Sequence, residues 1–373
     1  MIRALTVFAL CENVHLTKDV GMIPYILQKD FDYDCTIASY SNGDYPSLET
    51  DVKGLKHTLF AKKTNNPTID SLLFICSNFR KYDLLQAYHL TRGSVLILSV
   101  FKLLKKLDKK GITYLKLDAG EELKDFKYRG ITGRIFRFLI SKIDIISTET
   151  KELYETLNAN NILQKKVNYI PNGFYPKSEA IRYEEKQNII LTVGRIGTQQ
   201  KASEILLKAF SFFYQYNKDW ILEFVGPIED HFKETIETFY REHPDLVNQV
   251  KFHGNISNKV LLKNKYDAAK LFVLTSRWES FGLVLLEAMN SGCTIISTDL
   301  MSAKDVTDNG LYGEKFKIDD YQALSEILLR KANDEEYLRN NTMAIQEYAK
   351  KKFYWPDIVK QINDLIESEL SRN

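Results

Sequence analysis

The sequence lacks the features that would mark a disulfide-linked or membrane-spanning protein. Its four cysteines, Cys11, Cys35, Cys76 and Cys293, form no C-x-x-C pair and no metal-ligand spacing, which favours a reducing, cytoplasmic setting. The longest apolar run, "GSVLILSVFKLL", is well short of the roughly 20 residues that a membrane-spanning helix needs. The apolar run at the N-terminus is also too short for a secretory signal.

No strong excess of one charge is present either. The chain has 51 Lys+Arg against 49 Asp+Glu, a formal net charge of +2, which argues against nucleic acid as the main partner. There is no low-complexity tract and no fixed-period repeat. A length of 373 residues exceeds the usual size of one domain and predicts two.

Short apolar, β-branched runs alternate with longer helical patterns along the whole chain. The runs "ALTVFAL", "CTIASY" and "TYLKLD" belong to the first half, and "NIILTVG", "WILEFVG" and "KLFVLTS" to the second. Strands that alternate with helices predict a parallel sheet covered by helices. The pattern therefore predicts an α/β protein with two Rossmann-like domains facing across a cleft.

A connector separates the two series of strands. It contains Pro171, Gly173 and Pro176 and continues into a charged, non-periodic tail, as interdomain segments do. We expect a first domain over 1–174, a second over 175–352, and a C-terminal helix over 353–373 that packs back toward the first. Ligands of such sheets bind beyond the carboxyl ends of the strands.

The segment "RWESFGLVLLEAMNSGC" follows a strand and opens a helix. Glu279 lies in the turn and Glu287 in the second turn of the helix. The free amides of Gly282 and Leu283 at the start of the helix favour an anion such as a phosphate. A carboxylate at Glu287 can accept hydrogen bonds from sugar or ribose hydroxyls. The alternative is that both glutamates are solvated surface charges.

A second strand-loop-helix segment, "LTVGRIGTQQKASEILLKAF", carries Arg195 and Lys201. Two fixed cations at one anion site suit a diphosphate, because Arg offers a fork of donors and Lys a point charge. The alternative is a pair of exposed loop cations.

Two positions in the first half are candidates for the same cleft. Gly21 follows a polar loop after the first strand, although one glycine is a weak phosphate-loop signal. Asp118 ends the strand "TYLKLD", where a carboxylate can act as a general base or orient an acceptor. Capping of the following turn by Asp118 is an equal alternative.

Two stretches, "SVFKLLKKLDKKG" and "KYRGITGRIFRFLISK", combine Lys and Arg with Phe, Leu and Ile at helical spacing. Basic amphipathic helices of this kind can lie on anionic membrane surfaces. Both stretches are equally compatible with ordinary domain helices that have one solvated, charged face.

Taken jointly, the motifs resemble those of the retaining glycosyltransferases of the GT-B architecture, and specifically glycosyltransferase family 4, also called glycosyl transferases group 1. The resemblance is carried by "YIPNGF", "ILTVGRI…K…LLKAF", "LEFVGP", "VKFHGNIS", "LFVLTSRWESFGLVLLEAM" and "FYWPDIVKQI", which occur in the order of that family. It covers most of the chain and is most specific from Tyr169 to Gly313.

The resemblance implies a role for each matching residue. Arg195 and Lys201 would bind the donor diphosphate, Glu279 would lie against the transferred sugar, and Glu287 would bind the ribose. The other donor contacts would come from Ser280, Phe281, Gly282 and Leu283 for phosphate or sugar, from Gly254, Asn255 and Ile256 for the base, and from Gly21 in a loop that closes on the phosphate.

The resemblance also implies a reaction without a metal or other cofactor, in which cations and a helix N-terminus neutralise the phosphates. Glu279 and Asp118 would be the catalytic residues, and the nucleoside diphosphate would leave from the face at which the acceptor enters. Many family members have a histidine after the strand "TYLKLD", and here Lys116, Leu117 and Asp118 occupy that position.

We therefore expect transfer of a hexose from a UDP- or GDP-sugar to a glycan or lipid-linked saccharide in cell-surface polysaccharide synthesis. The enzyme would be cytoplasmic, at the inner face of the cell membrane if it associates with it. Two alternatives remain, a nucleotide-sugar 2-epimerase of the same fold and a non-catalytic sugar-nucleotide-binding partner subunit.

Overall fold

The structure is a computed structural model that describes residues 1–106, 111–118, 121–175 and 179–372. The chain divides into two units, one formed by Met1–Gly173 with Trp355–Asn373 and the other by Phe174–Tyr354. The amide of Phe174 donates to the carbonyl of Phe353 at 2.9 Å. The chain therefore enters and leaves the second unit at neighbouring residues.

The first unit is built on a sheet of seven parallel strands. They are β1 (Ile2–Val7), β2 (Tyr33–Ser39), β3 (Lys56–Leu59), β4 (Leu84–Tyr88), β5 (Ile112–Leu117), β6 (Ile145–Thr148) and β7 (Asn168–Tyr169). Their order in the sheet is β3-β2-β1-β4-β5-β6-β7. Every residue of β4 and β5 is buried, as expected of parallel strands covered on both faces.

Helices connect these strands. They are α1 (Asn13–Leu16), α2 (Asp19–Asp30), α3 (Ser47–Thr50), α4 (Pro67–Asn78), α5 (Arg92–Lys105), α6 (Gly130–Ile140) and α7 (Lys151–Ala159). The sequence order reverses between β1 and β4, which pair side by side. Loops that leave the carboxyl ends of these neighbouring strands must diverge, and this leaves a crevice at the edge of the sheet.

The second unit repeats the plan with six parallel strands in the order β10-β9-β8-β11-β12-β13. The strands are β8 (Gln187–Val193), β9 (Ile221–Val225), β10 (Val250–Phe252), β11 (Ala269–Leu274), β12 (Thr294–Thr298) and β13 (Gly313–Phe316). The helices are α8 (Ser203–Phe213), α9 (Lys233–Glu242), α10 (Lys259–Ala268), α11 (Leu283–Asn290), α12 (Met301–Val306), α13 (Tyr321–Ala332) and α14 (Glu335–Lys352). Two parallel sheets surrounded by helices confirm the predicted fold class.

Successive residues of β8 belong to separate cores on the two faces of the second sheet. Ile190 packs in one core, and Ile189 and Leu191 pack in the other. The alternation follows from the period of two along a strand, and it leaves the residues after the strand as the first ones available for binding.

The last helix, α15 (Trp355–Arg372), belongs to the first unit. It packs against α2, and the hydroxyl of Tyr33 donates to Oδ1 of Asn363 at 2.9 Å in a buried position. Among the helices within the described ranges, none is both long and apolar enough to cross a membrane.

Gly21 does not lie in a loop, which corrects the expectation from the sequence. It is the third residue of α2 and is buried. A Cβ placed on it would lie 2.1 Å from the carbonyl oxygen of Leu16, the last residue of α1. A glycine is needed here because the ends of two consecutive helices approach closely.

We predict that Gly21→Ala lowers the free energy of unfolding by about 1–3 kcal/mol, because the backbone of α1 must move to admit a methyl group. Urea unfolding followed by circular dichroism measures the change. Asp30→Ala, at the exposed end of the same helix, is the matched control and should stay within about 0.5 kcal/mol of the wild type. Unchanged stability of the Gly21 variant would contradict the packing role.

Candidate functional site

The loops after β8 and β11 meet at the carboxyl edge of the second sheet, because these two strands are neighbours. Thr275 donates its hydroxyl to the carbonyl of Lys201 at 2.8 Å. The amide of Arg277 donates to the carbonyl of Gln200 at 2.8 Å. This edge is the point where the strand order reverses, the usual ligand position in such sheets.

Lys201 and Glu279 form an ion pair at the centre of these loops. The Nζ of Lys201 lies 2.5 Å from Oε1 of Glu279, and both side chains are largely buried, with exposed fractions of 18% and 9%. Ser276 donates its hydroxyl to the same oxygen at 2.7 Å. Among the described residues, Oε2 of Glu279 has no hydrogen-bond partner, so one carboxylate oxygen remains available to a ligand.

Arg277 holds both loops together through its guanidinium group. NH1 donates to the carbonyl of Gln199 at 2.7 Å, NH2 to Glu204 at 2.8 Å, and Nε to Asp319 at 2.8 Å. Charge-assisted hydrogen bonds of this kind are about twice as strong as neutral ones. Arg277 was not among the predicted site residues, yet it fixes the backbone on which Lys201 and Glu279 are carried.

The start of α11 presents backbone donors. Gly282 adopts a left-handed conformation with φ 76° and ψ 66° directly before the first residue of the helix, a conformation that glycine adopts readily. Within the described part of the chain, no acceptor is bound to the amides of Phe281, Gly282 and Leu283. Free amides at a helix start attract an anion.

Ser280 and Phe281 complete this turn in different ways. The side chain of Phe281 is buried and packs edge-on against Phe353, with ring centroids 6.2 Å apart. Ser280 is half-buried. Phe281 can therefore offer a ligand only its backbone, because its ring anchors the turn in the core.

Glu287 lies on the exposed side of α11. The buried hydroxyl of Tyr266 donates to its Oε2 at 2.6 Å. Burial, and then the Glu287 carboxylate, raise the pKa of Tyr266 well above its ordinary value. Tyr266 thus stays protonated and keeps donating, which orients a carboxylate that solvent and ligands can reach.

Arg195 and the segment Gly254–Ile256 lie at the same edge. Arg195 is exposed, and none of the described residues accepts a hydrogen bond from its guanidinium. The carbonyl of Gly254 accepts from the amide of Gly226 at 2.8 Å, which ties the loop after β10 to the loop after β9. Asn255 is exposed, and Ile256 packs partly against the core. The structure brings all predicted residues of the second unit to one edge.

Asp118 follows β5 at the corresponding edge of the first unit. Its Oδ2 lies 3.7 Å from Nδ1 of His89, which follows β4. His89 adopts a left-handed backbone conformation with φ 60°, a costly one for a residue other than glycine and often seen at functional sites. The alternative role of Asp118, capping of the next turn, involves residues 119 and 120, which lie outside the described residues.

A buried lysine lies behind Asp118. The Nζ of Lys116 donates to Oδ1 of Asn172 at 2.9 Å and lies 3.4 Å from Glu149 and 3.6 Å from Asp19. Lys116 and Glu149 are fully buried. With Asp118 nearby, three carboxyl groups surround one ammonium group, so the cluster has more acidic groups than cations.

Glu149 and Asp19 of this cluster resist ionisation. Burial, and then the charge of Asp118, raise the pKa of Glu149 well above its ordinary value, although Lys116 opposes the shift. Burial also raises the pKa of Asp19. In contrast, the charges of Glu149 and Asp19 outweigh burial and raise the pKa of Lys116. Lys116 is therefore charged while Glu149 favours the neutral form, and Oε1 of Glu149 is buried with no hydrogen-bond partner among the described residues.

His89 and Glu149 were missed from the sequence because neither belongs to a recognisable motif, and Asn172, although part of "YIPNGF", was not assigned a role. The signal that could have found them is their position, since each lies within a few residues after a strand of the first sheet. The acidic run "DFDYD" at 30–34 contains a D-x-D pattern but lies at the amino end of β2, where Asp34 pairs with Lys56 at 2.6 Å. This run is on the edge opposite to the site.

The second unit is similar in sequence to a known protein family. Residues 176–352 match the family described as "Glycosyl transferases group 1". Mannosylfructose-phosphate synthase of Agrobacterium fabrum is 28% identical over 243 residues, which cover 60% of this chain and 52% of that protein. The chain therefore spans about half the length of this curated relative.

Solved structures show the same fold over the whole chain. HepE of Anabaena, in complex with UDP and glucose, has a TM-score of 0.74 at 16% identity and covers 99% of this chain and 100% of its own. Sucrose-phosphate synthase of Thermosynechococcus elongatus has a TM-score of 0.75 at 16% identity, with 100% of both chains covered. Together these structures show that the chain has the fold of two Rossmann-like domains.

We predict that the stability of the Glu149→Gln variant, relative to that of the wild type, rises with pH. A raised pKa means that the folded state retains a proton that the unfolded chain loses above the ordinary value of 4.5. Glu149 therefore contributes its full stabilisation below the ordinary pKa, and this stabilisation is lost as the pH rises toward the pKa of Glu149 in the folded state. The glutamine variant lacks this titration and should gain on the wild type by at most about 1.4 kcal/mol per pH unit.

Urea unfolding of both proteins at several pH values between about 5 and 8 measures this difference. Glu155→Gln, an exposed carboxyl on α7, is the matched control and should follow the wild type. A constant difference between Glu149→Gln and wild type across this range would mean that Glu149 is ionised throughout.

Proposed function

We propose that the protein is a retaining, metal-independent glycosyltransferase of family 4 that moves a hexose from a UDP- or GDP-sugar to a glycan or lipid-linked saccharide. The observation that carries the proposal is the Lys201–Glu279 pair beside the unbonded amides of Phe281, Gly282 and Leu283. Cationic and carboxylate groups thus lie next to an anion-binding helix start, as transfer from a sugar diphosphate requires.

In this proposal the diphosphate is bound by Arg195, Lys201 and the start of α11. An exposed guanidinium can bind two phosphate oxygens in a fork, and Lys201 has two N–H donors left beside the one directed at Glu279. The charge that develops on the leaving diphosphate is then stabilised by fixed cations and dipoles. These groups replace the divalent cation that other transferases use.

The other donor contacts follow from the same edge. Glu287, oriented by Tyr266, would accept hydrogen bonds from the ribose hydroxyls, and the backbone at Gly254–Ile256 would bind the base. The available oxygen of Glu279 would bind a hydroxyl of the transferred hexose. Such a contact would fix the sugar so that its anomeric carbon is exposed to the acceptor.

Transfer then breaks the bond between the anomeric carbon and the diphosphate oxygen and forms a bond to the acceptor oxygen on the same face. The acceptor hydroxyl loses its proton to the departing phosphate oxygen, so the configuration is retained without an enzymic nucleophile. Asp118, next to His89, would accept a hydrogen bond from the acceptor hydroxyl and orient it for attack. Lys116 and Glu149 would hold Asp118 in place.

An acceptor that is a lipid-linked saccharide of a cell-surface polysaccharide would place the enzyme at the inner face of the cell membrane. This part of the proposal is supported by the basic amphipathic helix α6, which exposes Ile131, Ile135 and Phe138. A soluble glycan acceptor would need no such surface.

The first test is a thermal-shift measurement with UDP, GDP, ADP and TDP, each with and without EDTA. One nucleotide should raise the melting temperature, because a ligand at a hundredfold excess over its Kd stabilises by about 2.7 kcal/mol. Arg195→Ala, Lys201→Ala and Glu287→Ala should lose most of this shift, and EDTA should leave it unchanged.

Arg241→Ala is the matched control, because Arg241 is an exposed arginine on α9 and should leave the shift intact. A shift that needs a divalent cation would contradict metal independence, and no shift with any nucleotide would contradict the donor site.

The stereochemical outcome is tested with the sugar conjugate of the stabilising nucleotide and an acceptor saccharide. Proton NMR should show a product with the anomeric configuration of the donor. An inverted product would contradict retention. Conversion to a second nucleotide sugar without acceptor would show an epimerase instead.

A further inference from the structure

The segment 126–143 carries charge of one sign only. It contains five basic residues and no Asp or Glu. The basic residues are Lys127, Arg129, Arg134, Arg137 and Lys142. The first four are exposed, and none of these four forms an ion pair with a described residue. This local cationic surface contrasts with the near-neutral balance of the whole chain.

Within this segment, α6 exposes an apolar stripe. Ile131, Ile135 and Phe138 are 77%, 54% and 57% exposed. Spacings of four and three residues place them on one face of a helix. A domain helix normally buries such a face, so three large apolar side chains side by side in solvent call for a partner.

The opposite side of α6 is fixed to the first unit. Ile140 is fully buried, and Ser99 of α5 donates its hydroxyl to the carbonyl of Leu139 at 3.0 Å. Phe136 packs against Phe126 with ring centroids 5.9 Å apart. The apolar stripe is therefore presented by an anchored helix and not by a loose segment.

The side chains are arranged as on helices that lie in a bilayer interface. Along the chain, Arg134 and Arg137 lie between the residues of the apolar stripe. The Nζ of Lys142 lies 4.5 Å from the centroid of the Phe138 ring. Long cationic side chains beside an apolar face can reach headgroup phosphates while the apolar residues enter the acyl boundary. A second copy of this surface would bring like charges together, which disfavours self-association through it.

We propose that α6 and the basic residues around it form a membrane-docking surface for an anionic lipid leaflet. Ile131, Ile135 and Phe138 enter the interface between headgroups and acyl chains, and the cations bind lipid phosphates. This inference goes beyond the proposed transfer reaction and does not depend on it, because it rests on the exposed face of α6 alone.

Co-sedimentation of the full chain with vesicles tests the proposal. We expect binding to vesicles of phosphatidylcholine with phosphatidylglycerol, at least tenfold weaker binding to phosphatidylcholine alone, and weakening of the former as salt is raised. The triple variant Ile131→Ser, Ile135→Ser, Phe138→Ser should bind anionic vesicles at least tenfold more weakly. Arg134→Glu with Arg137→Glu should abolish the preference for anionic lipid.

The matched control is Val260→Ser with Leu261→Ser, which removes two exposed apolar side chains from α10 and should bind vesicles as the wild type does. All altered residues are exposed, and unchanged circular dichroism and nucleotide thermal shifts would show that the variants fold and keep any donor site. Vesicle binding can thus be absent while the nucleotide thermal shift is intact, and the nucleotide thermal shift can be absent while vesicle binding is intact.

Three outcomes would overturn the proposal. The first is wild-type protein that does not sediment with anionic vesicles, and the second is equal binding to both vesicle types. The third is a dimer in light scattering that becomes monomeric in the triple variant, which would make α6 an interface between protein chains.

Discussion

The pairing of β8 with β11 is the constraint on which the second unit's site depends. These strands are distant in sequence, yet Ile190 lies opposite Leu271 in a parallel register. Their carboxyl ends therefore meet, and the loops that follow must share one small volume. Lys201, from one loop, then reaches Glu279, from the other, at 2.5 Å. Without this pairing, neither the ion pair nor the bonds of Arg277 could form.

Two lysines at the edges of the two sheets have opposite surroundings. Lys201 is partly exposed and has one carboxylate partner, so a ligand can compete for it. Lys116 is fully buried among carboxyl groups and Asn172, where removing a partner would leave an uncompensated charge. The first arrangement suits binding of a mobile anion, and the second suits a fixed support for the residues in front of it.

The sequence predicted the two parallel sheets because strand-helix alternation is a local pattern. It also predicted the turn that carries Glu279, since Gly282 and the apolar residues after it mark the start of a helix.

The sequence could not predict Arg277, whose partners Gln199 and Glu204 are more than seventy residues away. The placement of Gly21 in a loop was wrong because the contact with Leu16 depends on how α1 and α2 pack. His89 and Glu149 follow strands but carry no motif.

The charged groups at the edges of the two sheets favour binding of the proposed donor at one sheet and of the proposed acceptor at the other. At the edge of the first sheet, Lys116 is buried and already paired with Glu149 and Asp19, so its charge is not available to a diphosphate. A neutral hydroxyl needs no cationic partner, and it could donate to Asp118. At the other edge, Arg195 is exposed and the start of α11 offers amides without acceptors, which favours an anion. Electrostatics thus supports the nucleotide donor at the second sheet and the hydroxyl acceptor at the first, independently of any motif.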